Sequence, residues 1–164
     1  MEEVTLRVGQ GFDAHRFAAP SSGRDMWLAC LQWDDEGSGL EGDSDGDVAV
    51  HALIDALLAA AGLGDIGSLF GVGANVHGAG MHGADMLRET IDYLHAHGAV
   101  VQSASITVVG NRPKIGSRRA EAVAALSRLV GCPVSLTATT TDRMGFTGRG
   151  EGLAALATAL VNID

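Results

Sequence analysis

Three side chains, Asp13, His15 and His51, constrain this chain more than any other feature of its sequence. The first two close the segment Gly11-Phe12-Asp13-Ala14-His15, which follows an alternating run, Val4-Thr5-Leu6-Arg7-Val8, that reads as a strand. Residues i and i+2 of a strand project from one face, so a strand extended this far aims Asp13 and His15 in the same direction. His51 comes from the helix that follows. One carboxylate and two imidazoles form the ligand set of a catalytic divalent metal with one coordination position left open. For the three to share an ion, the strand end must lie against the first turns of that helix. Any fold that uses the three as one site has to satisfy this condition; on spacing alone Asp13 and His15 read equally as solvated groups at a strand end.

The helix opens in Asp43-Ser44-Asp45-Gly46-Asp47, with Ser44 suited to the N-cap and Asp47 three residues on to close a capping box. It runs to about Ala61 and ends at Gly62-Leu63-Gly64. Asp47, His51 and Asp55 fall at i, i+4 and i+8, one polar stripe on a helix otherwise rich in Ala, Val, Leu and Ile. A solvated stripe usually mixes in Lys or Arg. This one has neither, so it reads as facing inward, and the N–H groups at the helix start are expected to form an anion site.

Further strands are expected over 27–31, 100–109 and 134–141, and further helices around Leu87, Ile91 and Leu94, over 117–130 and over 152–161. Residues 71–82 carry four glycines and no hydrophobic period, which predicts a mobile loop of the kind that serves as a lid. The order ββααβαβα implies an α/β fold of the α+β two-layer type, a four-stranded mixed sheet packed with helices, in a single domain over 1–164.

A net charge of −9 argues against a nucleic-acid partner, since a phosphate backbone needs a basic face. A small phosphorylated ligand remains compatible, because a metal and a few local cations can hold one. Cys30 and Cys132 lack CxxC spacing and read as buried thiols of a reducing compartment. With no signal peptide and no apolar run of membrane-spanning length, the expected location is the cytoplasm, away from membranes.

Two more clusters carry polar chemistry. Thr139-Thr140-Thr141-Asp142, followed by Gly145-Phe146-Thr147-Gly148-Arg149-Gly150-Glu151-Gly152, places hydroxyls and a carboxylate at a strand end, where they suit phosphate oxygens and a hard cation such as Mg²⁺ or Mn²⁺. It lacks Walker A spacing, and as a bare pattern it is also an ordinary turn. Asn111-Arg112-Pro113-Lys114-Ile115-Gly116 reads on spacing alone as a basic β-turn, with a backbone able to grip a base and Lys114 able to meet a phosphate.

Taken together with Ser44-Asp45-Gly46-Asp47-Val48-Ala49-Val50-His51 and Leu63-Gly64-Asp65-Ile66-Gly67, these motifs resemble the 2-C-methyl-D-erythritol 2,4-cyclodiphosphate synthase family nearly end to end. The resemblance implies a homotrimer with active sites between subunits, and zinc or a similar divalent transition metal on Asp13, His15 and His51. It implies that Asp65 and Gly67 grip the erythritol hydroxyls, that Arg112, Pro113 and Lys114 hold the cytidine, and that Asp43 and Ser44 border the substrate. Thr139, Thr140 and Asp142 would bind diphosphate, with Asp142 on a second divalent cation, Mg²⁺ or Mn²⁺. Phe12, Phe146 and Arg149, with Glu151 beside the arginine, match residues around a central cavity that can take an isoprenoid-like ligand.

The implied reaction is a lyase-type cyclisation of a cytidine diphosphate substrate in the non-mevalonate pathway, releasing CMP. Two departures stand out. Asp43 replaces the family's usual His, and at ~6 Å in an effective dielectric of ~20 its charge would repel a phosphate by about 3 kcal/mol. Residues 71–82 also lack the family's acidic segment. The same residues are open to two other readings, a metal-dependent phosphoesterase or oxygenase and a trimeric zinc-containing binding protein without turnover.

Overall fold

The computed structural model describes residues 4–34 and 37–164. Its centre is α1 (Val48–Ala61), where Val48, Ala49, Val50, Ala52, Leu53 and Ile54 are all fully buried. A helix apolar on nearly every side must be enclosed, and here a sheet covers one side and α3 (Gly83–Ala96) packs on another. The sheet holds β1 (Thr5–Arg16), β4 (Ala99–Val109), β5 (Val134–Thr139) and β6 (Gly152–Ile163) in the order β1-β6-β4-β5. β6 is antiparallel to both of its neighbours, whereas β4 and β5 run parallel, joined by α4 (Arg119–Val130). The mixed four-stranded sheet is therefore present, and its membership differs from expectation.

The segment expected as a final helix is β6, a central strand. Its alanines suggest a helix by propensity. Burial nevertheless alternates: Ala155, Ala157, Ala159 and Val161 are buried, while Leu156 and Thr158 are exposed. Small side chains on that face let α1 lie close to the sheet. The expected strand at 27–31 is outside the sheet and forms only the hairpin of β2 (Trp27–Leu28) and β3 (Leu31–Gln32). The short helices α2 (Ile66–Phe70) and α5 (Gly145–Gly148) were not anticipated.

Contact between β1 and α1 is made by backbone. A Cβ on Gly11 would sit 1.9 Å from the Ala52 carbonyl oxygen, and one on Gly9 would sit 2.0 Å from that of Ala56. These two glycines bring the helix directly onto the strand that carries Asp13 and His15.

The N-cap of α1 is Asp47, correcting the assignment to Ser44. Its fully buried carboxylate accepts N–H bonds from Val50 at 3.2 Å, Ala29 at 2.9 Å and Cys30 at 2.9 Å. The chain's own carboxylate thus meets one of the N–H groups at the helix start, that of Val50, and ties the β2–β3 turn to it. Cys30 and Cys132 are both free and half-buried, and burial raises both thiol pKa values. No helix among the described residues is long and apolar enough to cross a membrane.

Candidate metal centre and its cavities

β1 remains extended through Arg16, so Asp13 and His15 share the face of the strand that meets α1. The Asp13 Oδ2 atom lies 3.0 Å from His15 Nε2 and 3.1 Å from His51 Nδ1. One ligand atom from each of the three falls within 4.8 Å of the others. The other nitrogen of His51, Nε2, is 3.0 Å from Ser44 Oγ. A hydroxyl on that nitrogen fixes the orientation of the ring, the arrangement that ordinarily supports a metal-binding imidazole. Burial would raise the Asp13 carboxyl, but hydrogen bonds from His15 and His51 outweigh it and hold the pKa at about 2. For His51, burial opposes protonation, but the Asp13 carboxylate prevails and the pKa is raised. The trio thus supplies a carboxylate that stays ionised and two convergent imidazoles, a donor set that fits zinc or a comparable divalent ion.

The trio opens into a cavity of about 310 Å³ whose lining includes Ser44, Gly67 and Phe70. The inward reading of the helix stripe is correct for all three members: Asp47 caps α1, His51 faces Asp13, and half-buried Asp55 accepts the Ile66 N–H at 2.8 Å. That last bond brings the start of α2, and with it Gly67, to the cavity. Asp65 is the N-cap of α2, its Oδ1 accepting the Ser68 N–H at 2.8 Å. Asp43 also borders the cavity, and its carboxylate accepts the Gly73 N–H at 2.9 Å. The apolar wall made by Phe70, Val72, Val76 and Met86 was not foreseen. Its one visible cue was Phe70 and Val72 flanking a glycine next to a segment without periodicity.

A second cavity of about 340 Å³ gathers Pro113, Lys114, Thr139 and Thr140 with Asn111, and it shares no lining residue with the first. Arg112 is not among its walls; the guanidinium lies 3.7 Å over the Phe17 ring and donates to the Ser38 carbonyl at 3.0 Å. Asp142 is exposed, with φ at +49°, and lies outside both linings. Phe146 and Glu151 border a third space of about 210 Å³ beside His15, and exposed Arg149 pairs with Glu151 at 2.8 Å. Phe12 is exposed on the opposite face of the sheet.

A mixed α/β domain with one carboxylate and two histidines converging on a cavity defines a two-layer protein with a candidate metal site. Known proteins narrow this further: the sequence profile of the YgbB family matches residues 6–162. The chain belongs to the YgbB family. It is 65% identical, across 98% of each chain, to the 2-C-methyl-D-erythritol 2,4-cyclodiphosphate synthase of Bifidobacterium longum (strain NCC 2705). Among solved structures, the bifunctional IspDF of Campylobacter jejuni superposes with a TM-score of 0.88 at 31% identity, over 99% of this chain and 43% of that one. A 2C-methyl-D-erythritol-2,4-cyclodiphosphate synthase in a CDP-bound form matches with a TM-score of 0.80 at 36% identity, over 94% of this chain and 99% of that one.

Proposed function

We propose that the chain is a 2-C-methyl-D-erythritol 2,4-cyclodiphosphate synthase. It converts 4-diphosphocytidyl-2-C-methyl-D-erythritol 2-phosphate to the 2,4-cyclodiphosphate with release of CMP, a lyase-type cyclisation. The observation that carries this reading is the convergence of Asp13, His15 and His51 on one cavity in a chain so similar to a synthase of that name. In the reaction, an oxygen of the 2-phosphate bonds to the β-phosphorus as the bond from that phosphorus to the bridging oxygen breaks. CMP leaves with the electron pair, and the nucleophile is already an anion, so no strong base is required.

Asp13, His15 and His51 would hold a divalent ion such as zinc, which would supply Lewis-acid chemistry at the phosphates. The remaining work falls to this chain's residues. Ser44 keeps the His51 ring in register, and Gly67 and Asp65 present polar groups to the erythritol hydroxyls. Pro113 and Lys114 hold the nucleotide end, and Thr139 and Thr140 the diphosphate. Asp142 would hold Mg²⁺ or Mn²⁺, a hard cation that a carboxylate suits.

The two cavities favour a homotrimer in which each active site pairs the metal side of one copy with the nucleotide side of another. The uncovered face of the sheet supports this, since Leu6, Val8, Phe12 and Leu156 are all exposed along it. Phe146, Arg149 and Glu151 would then border a central space for an isoprenoid-like ligand, and the assembly would work in the cytoplasm.

The test is incubation with the substrate and Mg²⁺, following CMP and the cyclic product by phosphorus NMR, with light scattering on the same sample. Product from a trimer is expected. Intact metal and trimer without product would favour the binding-protein reading, and a stable monomer would refute shared sites.

A further inference from the structure

We propose that Asp43 is a positioning residue that clamps the glycine-rich loop 71–80 at two points and so sets one wall of the metal-site cavity. Its carboxylate accepts the Gly73 N–H at 2.9 Å, and its backbone carbonyl accepts the Gly80 N–H at 2.8 Å. One residue therefore holds the loop near both of its ends. Space is open on the side-chain side of both glycines, Gly73 and Gly80, where an added Cβ would meet nothing within 4 Å. Among the described residues, the bond to Asp43 is the one that ties the 72–75 tip to the rest of the fold. Between the clamped points lie Val76 and Gly78, and Val72 stands just before the first; all three line the cavity.

The neighbours of Asp43 extend the coupling. Ser44 contacts His51 Nε2 at 3.0 Å, while Asp45 donates its N–H to the Met81 carbonyl at 3.2 Å and accepts the Gly83 N–H at 2.7 Å. Three consecutive residues thus join the loop, the start of α3 and a metal ligand. The carboxylate expected to repel a bound phosphate has a backbone donor of its own, and the segment expected as a mobile lid is tethered. Loss of the carboxylate frees the 72–75 tip, and with it Val72, and weakens ligand binding. The Gly80 bond to the Asp43 backbone and the Gly78 N–H bond to the Phe70 carbonyl hold the rest of the loop, and the metal ligands stay in place.

The test compares the intact protein with D43N, which removes the charge but keeps an acceptor oxygen, and D43A, which removes both. Residue-resolved amide exchange by NMR reads the clamp without reference to any activity. Exchange at Gly73 should rise at least about tenfold in D43A and stay near the parent value in D43N, with bound metal unchanged in all three. The kinetic arm rests on the cyclisation reading: KM for the cytidine diphosphate substrate should rise about fivefold or more in D43A, with kcat within about twofold. Unchanged Gly73 exchange in D43A, or D43N matching D43A in exchange, overturns the clamp. Absence of turnover in the parent protein would refute the cyclisation reading and leave the exchange result to decide the clamp.

Discussion

Replacing Gly11 with alanine should damage stability and metal binding together, because one contact governs both. The added Cβ would sit 1.9 Å from the Ala52 carbonyl oxygen and 2.7 Å from the Ala56 nitrogen, whereas real contacts of this kind are not found under 3.0 Å. Both partners are helix backbone, so no side chain can turn aside. The helix has to lift from β1 by about 1 Å, and overpacking of this kind costs about 3 kcal/mol. For a chain of this length that lowers Tm by roughly 6–12 °C. Ala52 follows His51, and Gly11 precedes Asp13 by two residues, so the lift acts directly on the 3.1 Å approach of His51 to Asp13. Metal-ligand distances tolerate about 0.2 Å, several times less than the lift, and affinity should fall at least about tenfold. Gly9→Ala is the matched comparison: it strikes Ala56 and Ala60, farther from His51, and should lose similar stability with a smaller loss of affinity. Thermal unfolding and competitive zinc titration read the two effects. Parent-like Tm and affinity in Gly11→Ala would refute the argument.

Ser44→Ala should lower metal affinity about 10- to 100-fold with little change in Tm, since the hydroxyl orients His51 from outside the ligand set; chelator competition checks it. Asp47→Ala should cost about 3 kcal/mol in urea unfolding, because Val50, Ala29 and Cys30 all lose a buried acceptor; a loss under about 1 kcal/mol would contradict the cap. In metal-free protein, the lowering of the Asp13 pKa from 3.8 to about 2 stabilises the fold by about 2 kcal/mol above pH 4. That contribution is lost as pH falls from 4 towards 2, and Asp13→Asn should flatten this limb of the stability-pH curve.

The metal centre was legible because its geometry is local: two residues at strand spacing and one histidine on a strongly patterned helix. The last strand was not. Residues 154–161 are mostly Ala and Leu, and helical propensity hides an alternation that becomes meaningful only once α1 demands small side chains on one face. The start of α1 misled in a similar way, since Ser44 and Asp47 both suit a cap and only the fold shows Asp47 turned to Ala29 and Cys30 while Ser44 meets His51. Arg112 looked like a ligand-facing cation beside Pro113 and Lys114. Its anchor points, Phe17 and Ser38, are distant in sequence and leave no local signature.

The strand order has a consequence for how the domain is made. β1, which carries two of the three metal ligands, finds its sheet partner only in β6, more than a hundred residues later in the chain. As the chain leaves the ribosome, β4, α4 and β5 can pair among themselves, while Asp13 and His15 wait on an unpaired edge. Such long-range pairing is slow and leaves that edge open to wrong partners. Pairing with β6 therefore closes the edge of a strand whose other face already meets α1 through Gly9 and Gly11, so the late partner shields the candidate site without building it.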